Sequence, residues 1–309
     1  MARFKNIKSS HGILTVILQY YTERFQDYWH ILYPGILLKK RLQDPFLYFW
    51  DISRKAIEYQ GPFSEEGIYL FKGYDGQFHL HALEVTVYTI GAWCAWKNTQ
   101  HNYWKDKALK HCDWLLTQQE SDGAWRTQHK NPIYDDLPCP WPSALTQGLA
   151  ISSLVRAYRV TGDKKYLHSA CNAANFLQLD ISQDGTRREI ECGFILEEYP
   201  VKKLSGVLNG YITAILGLYE LSQFKNEYLS QFEQNFENLK KILPLYDAGF
   251  WSFYSLDGNY ASGFYHRFHI TQLSILSELD DYFLQYKNKF ESYLNNNWFA
   301  TKALSKKIF

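Results

Sequence analysis

Apolar residues recur at helical spacing in eight stretches that form four pairs along the chain. Residues three or four positions apart lie on one face of a helix, so each stretch predicts a helix with a buried face. A short turn joins the members of a pair, and a longer polar loop follows each pair. The predicted helices span 81–96, 103–116, 143–158, 164–177, 206–221, 227–243, 266–279 and 281–294.

The helix pairs form a repeat, because the equivalent positions Ala82, Ala144, Val207 and Phe268 recur about every 62 residues. A two-helix unit cannot bury its apolar face alone, so the units must stack or close. Small residues in the first helices of the second and third pairs suit crowded inner positions. We therefore predict an all-α fold, an (α/α) barrel or toroid of about four helical hairpins, with short β-hairpin loops at one rim. An open solenoid of helix pairs is the competing arrangement.

The first 74 residues fit this repeat poorly. They contain a predicted helix at 13–31 and a turn at Gln60-Gly61-Pro62. No linker rich in proline, glycine or serine marks a second domain. We expect one domain over 1–309, in which 1–74 flank the helical-hairpin repeats of 75–309.

The composition of the chain limits which partners it can bind and in which cell compartment it is expected. The net charge of +1 gives no argument for nucleic acid as a partner. Five widely spaced cysteines predict reduced thiols rather than disulfides or a metal site. No apolar run reaches the length of a signal peptide or a membrane span. We expect a cytoplasmic protein, free or peripheral to the inner membrane, from a bacterium that makes a capsule or another cell-surface glycan. A homodimer is compatible with the sequence.

Unusual polar residues gather in the long loops and at the starts of the predicted inner helices, where a rigid scaffold usually carries function. Glu197-Glu198-Tyr199-Pro200 precedes the third inner helix, and Pro200 favours extended backbone at Tyr199. Asn209 lies on an apolar helix face, where a buried amide needs a partner. Solvated or purely structural roles compete with substrate contacts at each position.

A second group follows the third pair. Tyr254 and Tyr265 flank a turn, and His266 and His269 share a helix face. A tyrosine, with an ordinary pKa near ~10, is a poor base unless its surroundings lower that value. The histidines either supply such a field, bind a carboxylate, or are structural. A metal would need further ligands, and we expect none.

Arg126 and Lys130 follow the loop Asp122-Gly123-Ala124-Trp125. They form either a solvated face or a clamp on an acidic sugar. Aromatic residues make up 17% of the chain, and aromatic rings stack on sugars as well as filling cores.

Several segments taken together carry a resemblance to a known family. They are Pro140-Trp141-Pro142-Ser143-Ala144, Gln147-Gly148, Glu198-Tyr199-Pro200, Val207-Leu208-Asn209-Gly210-Tyr211, Leu243-Pro244-Leu245-Tyr246-Asp247 and Tyr265-His266. In this order they resemble the C-terminal domain of D-glucuronyl C5-epimerases over residues 123–294. That family converts D-glucuronate to L-iduronate within polymers such as heparosan, and its helical domain is an (α/α) barrel.

The resemblance implies that Glu198, Tyr199, Tyr254 and Tyr265 are catalytic, and that no cofactor is needed. The implied substrate is an acidic polysaccharide or a lipid-linked oligosaccharide. Where the family has an aromatic-rich segment before the first inner helix, this chain has His79 and His81, with a tyrosine replaced or moved to Tyr69 or Tyr74. The substrate-binding residues that we expect are Arg126, Lys130, Trp141, Gln147, Asn209, His266, His269, His79 and His81.

Three other functions fit the same residues. A polysaccharide lyase begins with the same removal of a proton but expels the 4-O substituent. A glycoside hydrolase would use a carboxylate pair drawn from Asp135, Asp136, Glu197 and Glu198. A non-catalytic glycan-binding protein of polysaccharide assembly needs no acid or base.

Overall fold

A computed structural model describes residues 13–22, 44–73, 75–131 and 134–308. This part of the chain is mostly helical. The helices are α1 Ile13–Leu18, α2 Ser53–Ile57, α3 Ala82–Thr99, α4 Asn102–Gln118, α5 Ala144–Thr161, α6 Lys164–Phe176, α7 Leu208–Ser222, α8 Leu229–Ile242, α9 Gly263–Leu276, α10 Tyr282–Leu294 and α11 Asn297–Ile308. Short 3₁₀ helices lie at Ile181–Gln183, Asn226–Tyr228 and Leu243–Tyr246.

The described strands form two antiparallel hairpins. Strand β1 (Phe71–Lys72) pairs with β2 (Phe78–His79), and β3 (Arg187–Ile190) pairs with β4 (Gly193–Leu196). Hairpin β1–β2 precedes α3 and hairpin β3–β4 precedes α7. Short β-hairpins are therefore present, and their place at one rim of a barrel stays a prediction.

The eight predicted helices correspond to α3 through α10. The prediction at 227–243 ran too long because 3₁₀ turns extend α8 at both ends. Helix α9 begins three residues earlier than predicted, since the Ser262 hydroxyl caps it by accepting a hydrogen bond from the Tyr265 amide at 3.3 Å. Helix α11 was not predicted. Of the helix predicted at 13–31, residues 13–22 are described, and α1 ends at Leu18, so the prediction is wrong for residues 19–22. Residues 23–31 lie outside the described residues.

The first helices of the four hairpins pack against one another in chain order, α3 on α5, α5 on α7 and α7 on α9. Every residue of α7 is buried, whereas α8 buries one face. A Cβ at Gly148 would lie 2.7 Å from the Ala214 Cα, and one at Gly217 would lie 2.6 Å from the Gly148 carbonyl oxygen. The small residues therefore do mark crowded inner helices, as predicted.

The described part of the first 74 residues belongs to the core. Trp50 packs edge-on against Phe268 of α9, with ring centroids 5.0 Å apart, and Phe46 packs edge-on against Trp93 of α3 at 5.6 Å. Residues 44–57 therefore touch both the first and the last inner helix. They thus pack on the inner helices without forming a further helix pair.

A buried ion pair ties this segment to the inner helices. Arg156 on α5 donates to both carboxylate oxygens of Glu220 on α7, at 3.0 and 2.8 Å. The same guanidinium donates to the carbonyl oxygens of Phe46 and Leu47 at 3.1 and 3.0 Å.

No helix among the described residues is long and apolar enough to cross a membrane.

Candidate active site

The β3–β4 hairpin sets the position of two adjacent glutamates. The Asn238 side chain of α8 accepts from the Phe194 amide at 3.0 Å and donates to the Phe194 carbonyl at 2.7 Å. Glu197 directly follows β4, and its carbonyl accepts from the amide of Ala144 at 2.9 Å. The hairpin thus fixes the backbone of Glu197 and Glu198 against the starts of two inner helices.

Glu197 is a structural residue. Its carboxylate accepts hydrogen bonds from Arg188 Nε at 2.7 Å, from the Ser205 hydroxyl at 2.9 Å and from the Gly206 amide at 2.8 Å. Burial nevertheless raises the pKa of Glu197, and these partners oppose the rise. Its lone pairs are occupied, so it is poorly suited to act as a glycosidase acid or base.

Glu198 has a different environment. Its carboxylate is buried and accepts from the Asn209 side-chain amide at 3.5 Å, and the Tyr199 side chain lies beside it in the chain. Burial raises the pKa of Glu198 to about 7, the neighbouring Tyr199 hydroxyl opposes this rise, and the nearby Glu197 charge adds to it. A carboxyl with a pKa near neutrality both donates and accepts a proton readily.

A glycine makes room for this carboxylate. Gly210 lies in the first turn of α7, and a Cβ there would lie 2.5 Å from Glu198 Oε2 and 2.9 Å from Glu198 Cβ. Neither alanine nor any larger residue fits without displacing the Glu198 side chain. The Val-Leu-Asn-Gly-Tyr segment therefore supplies both an amide donor and the space beside it.

Tyrosines surround Glu198. The rings of Tyr254 and Tyr265 lie 4.7 Å apart between centroids. Burial raises the pKa of Tyr254 well above its ordinary value, and the Glu198 charge raises it further. The pKa of Tyr199 is raised by the same two causes. These two phenols therefore stay protonated at neutral pH and serve as hydrogen-bond or proton donors rather than as resting bases.

One aromatic neighbour was missed by the sequence analysis. The Tyr134 ring lies 5.0 Å from that of Tyr199, and its pKa is raised by burial and by the charges of Asp257 and Glu198. Trp141 also packs on Tyr199, at 5.5 Å. Tyr134 lies in the long loop between α4 and α5, and that position was the available signal.

Asn209 stands between Glu198 and a second amide. Gln272 of α9 donates to the Asn209 backbone carbonyl at 3.0 Å and to the Thr213 hydroxyl at 3.2 Å. The side-chain oxygens of Asn209 and Gln272 are buried and have no hydrogen-bond partner among the described residues. Two unsatisfied buried acceptors on adjacent helices mark a place that a hydroxyl-bearing ligand would complete.

His266 and His269 are neutral and buried. His266 stacks on Trp251 at 3.8 Å, and its nitrogens lie 3.0 Å from the Phe290 carbonyl and 2.8 Å from the Ser252 hydroxyl. Burial lowers the pKa of His266 well below its ordinary value and that of His269 to about 3. Neither imidazole supplies the positive field considered from the sequence. Ser252 links the two rings, so His266 packs as a core residue.

Arg126 is committed to the protein itself. It forms ion pairs with Glu120 at 2.5 Å, Asp122 at 2.7 Å and Asp184 at 3.0 Å. Three carboxylates more than neutralise one guanidinium, so Arg126 has no positive charge left to bind the carboxylate of an acidic sugar, as the sequence had suggested it could. Arg126 instead ties the loop after α4 to the loop after α6.

Gln147 is also occupied by protein groups, since it donates to the Gly123 carbonyl at 2.9 Å and accepts from the Trp125 amide at 3.3 Å. Lys130, in contrast, is exposed, and so are Asp135 and Asp136. Of the two expected cations, Lys130 is therefore the one that a polyanion can reach.

His79 and His81 lie together with His129, at ring-centroid distances to His129 of 4.1 and 6.3 Å. Tyr69 is buried beside Tyr88 at 5.1 Å, and Tyr74 lies outside the described residues. His79 and His81 thus lie directly before α3, where the family has an aromatic-rich segment.

Among the described residues, no group of three His, Cys, Asp or Glu side chains is arranged to hold a metal ion.

Comparison with known proteins decides the family. The model of the D-glucuronyl C5-epimerase C-terminus matches residues 118–293. The chain belongs to this family. The match contains Glu198 and its surrounding tyrosines, whereas His79 and His81 lie outside it.

Two relatives show how much of a longer protein is covered. The chain is 32% identical to the D-glucuronyl C5-epimerase of Caenorhabditis elegans over 192 residues, which are 54% of this chain and 31% of that protein. It is 30% identical to an uncharacterized protein of Methanocaldococcus jannaschii over 173 residues, 53% of this chain and 56% of that protein. The expected bacterial source gains no support from a nematode and an archaeal relative.

Proposed function

We propose that this member of the epimerase family inverts C5 of glucuronate residues in an acidic polysaccharide or a lipid-linked oligosaccharide. The observation that carries the proposal is the environment of Glu198, a buried carboxyl with a pKa near 7 beside an amide and tyrosine hydroxyls. Family membership supplies the type of reaction, and the site geometry supplies groups able to perform it.

The reaction needs a base, a stabiliser of negative charge and an acid. Removal of the C5 proton leaves its electron pair delocalised into the C6 carboxylate as an enolate-like species, which hydrogen-bond donors must stabilise. A proton must then return to C5 from the opposite face. We assign the exchange on one face to Glu198 and on the other to Tyr265, with Tyr199 and Tyr254 as donors to the charged intermediate.

We further propose that the helical hairpins form a single (α/α) toroid. The order α3, α5, α7 and α9 of the packed inner helices supports this arrangement, as does the contact of residues 44–57 with both α3 and α9. In such a ring, the loops that carry Glu198, Tyr254 and Trp141 would meet at one rim. A cleft there would admit a single glycan chain.

The test is incubation of the full chain with heparosan-type glucuronate oligosaccharides in deuterated water, followed by NMR at C5. We expect deuterium at C5 and new iduronate signals. An unsaturated product would identify a lyase, and new reducing ends would identify a hydrolase. Binding without exchange would leave a glycan-binding protein and contradict the proposal.

The residue assignment is tested separately with Glu198→Gln and Tyr265→Phe. Each change keeps the side-chain shape and removes a titratable group. We expect exchange to be abolished while the far-UV spectrum remains close to that of the wild type and unfolding stays cooperative. Full exchange in both variants would overturn the assignment.

A further inference from the structure

Three imidazoles from two separate segments meet before α3. His79 ends β2, His81 precedes α3, and His129 comes from the loop between α4 and α5. The His79 and His129 rings are 4.1 Å apart, and the His81 and His129 rings are stacked at 6.3 Å with an interplanar angle of 21°. We call His79, His81 and His129 the histidine cluster.

The β1–β2 hairpin holds the imidazole ring of His79 in one orientation. Asp75 Oδ2 lies 2.8 Å from His79 Nε2, and Asp75 Oδ1 accepts from the Gln77 amide at 2.9 Å. A Cβ at Gly73 would lie 2.7 Å from Asp75 Oδ1 and 2.8 Å from His79 Cδ2. The hairpin therefore depends on a glycine to fit this pair, which fixes the ring of His79.

One member of the cluster has an unmet polar group. The Nδ1 atom of His81 is buried and has no hydrogen-bond partner among the described residues. His81 is also the N-cap residue of α3, although its side chain does not cap the helix. A buried nitrogen without a partner costs free energy that a ligand can recover. The positive end of the α3 dipole favours a negatively charged ligand.

Two carboxylates lie near the histidine cluster, and one of them is neutralised by a lysine. Asp75 faces His79, and Glu84 faces His81, but Glu84 is paired with Lys55 at 2.9 Å. Burial lowers the pKa of both His81 and His129, and the neighbouring imidazoles lower both values further. Burial and the neighbouring imidazoles therefore favour the neutral forms of His81 and His129, while Glu84 and Asp75 oppose this.

The cluster adjoins the candidate active site through Trp141. The indole Nε1 of Trp141 donates to the His129 carbonyl at 3.0 Å, and its ring packs on Tyr199 at 5.5 Å. Tyr199 directly follows Glu198 in the chain, and the Glu198 charge raises the pKa of Tyr199. These contacts place the loop that carries His129 beside the segment that carries Tyr199.

We propose that His79, His81 and His129 form a subsite that binds a carboxylate of an acidic glycan and takes up a proton as it binds. A neutral imidazole takes the proton from the buffer, and its N–H then donates to the carboxylate, so no bond of the sugar forms or breaks. The identity of the ligand rests on the proposed function. The subsite itself rests on the contacts of the histidine cluster.

The test measures binding of a heparosan-type oligosaccharide by calorimetry between pH 5.5 and 7.5, in buffers with different ionisation enthalpies. The full chain carries Glu198→Gln, which prevents turnover and removes the titration of Glu198 itself. We expect uptake of one proton, and an affinity that rises about tenfold per unit of falling pH wherever that uptake is complete. A carboxyl-reduced oligosaccharide should show neither effect.

Histidine variants in the same background assign the effect. His81→Gln and His129→Gln should each lower the affinity at pH 5.5 and reduce the proton uptake. His168→Gln, which changes an exposed histidine of α6, should leave both unchanged. Should His81→Gln fail to fold, His129→Gln decides alone, because its side chain lies in a loop.

Binding that is independent of pH, or that keeps its proton uptake in both cluster variants, would overturn the subsite. That outcome leaves C5 exchange by the wild-type protein untouched. Conversely, proton uptake that depends on the histidines, in a protein without C5 exchange, would support the subsite and remove the epimerase proposal. The two proposals therefore fail separately.

Discussion

Gly210 lies directly against the carboxylate of Glu198, at a position where a Cβ would come within 2.5 Å of Oε2. This closeness lets the carboxylate sit beside the first turn of α7 and reach the Asn209 amide. The backbone of α7 therefore sets the position of the group to which we assign proton transfer.

Gly210→Ala should reduce C5 exchange at least tenfold without unfolding the protein. The added methyl displaces the far end of the Glu198 side chain, while alanine itself favours a helix by about 1 kcal/mol over glycine. Exchange rates and chemical denaturation of the same samples check both halves of this prediction.

Gly217→Ala is the matched control. It changes the same helix, but its Cβ would meet the Gly148 backbone at 2.6 Å. We expect lost stability there, with exchange falling only as far as the folded fraction falls. Unchanged exchange in Gly210→Ala would show that Glu198 does not need its present position.

Glu198 should make the protein less stable as pH rises. Its pKa is about 7 in the folded protein, against an ordinary value of 4.5, so the folded state binds more protons between these values. The contribution of Glu198 to the free energy of unfolding is then fully present below the unfolded pKa. It declines by up to about 3 kcal/mol as pH rises toward the folded pKa.

The measurement is the free energy of unfolding by urea at pH 5 and pH 7.5, for the wild type and Glu198→Gln. The difference between the two proteins should shift in favour of the variant at the higher pH. A pH-independent difference would mean that Glu198 ionises at an ordinary pKa.

Arg126 and Lys130 should behave in opposite ways. Arg126→Gln breaks three ion pairs, one of which joins two loops. It should lower stability by about 1 kcal/mol, the scale of partly exposed pairs, while leaving KM for the oligosaccharide nearly unchanged. Lys130→Gln should leave stability unchanged and raise KM. Denaturation midpoints and initial rates distinguish the two, and a raised KM in Arg126→Gln alone would reverse the assignment.

The Arg156–Glu220 pair should matter for folding rather than chemistry. Arg156→Met leaves a buried carboxylate unpaired and removes the donors to Phe46 and Leu47, so we expect a loss of about 3–5 kcal/mol. Replacing Glu220 by leucine in the same chain should restore much of that stability. The comparison is made by urea unfolding, and a single variant as stable as the wild type would contradict it.

Much of the helical architecture was determined by the sequence alone. The repeat of helix pairs follows from apolar periodicity, since an amphipathic helix must bury one face whatever its neighbours are. The small residues Gly148 and Ala214 marked the inner helices because only residues without bulky side chains permit such close backbones. The family resemblance likewise rested on short segments that the family comparison bears out.

Only the tertiary structure decided what the polar side chains do. Glu197 and Glu198 are adjacent and chemically identical, yet one carboxylate is occupied by Arg188, Ser205 and Gly206, and the other lies beside Asn209. For Arg126 the sequence left a solvated face and a substrate clamp open, and the structure places Glu120 and Asp122 of its own loop and Asp184 of a distant loop against it. Charge, burial and hydrogen bonding depend on which distant segments meet, and local sequence does not record that.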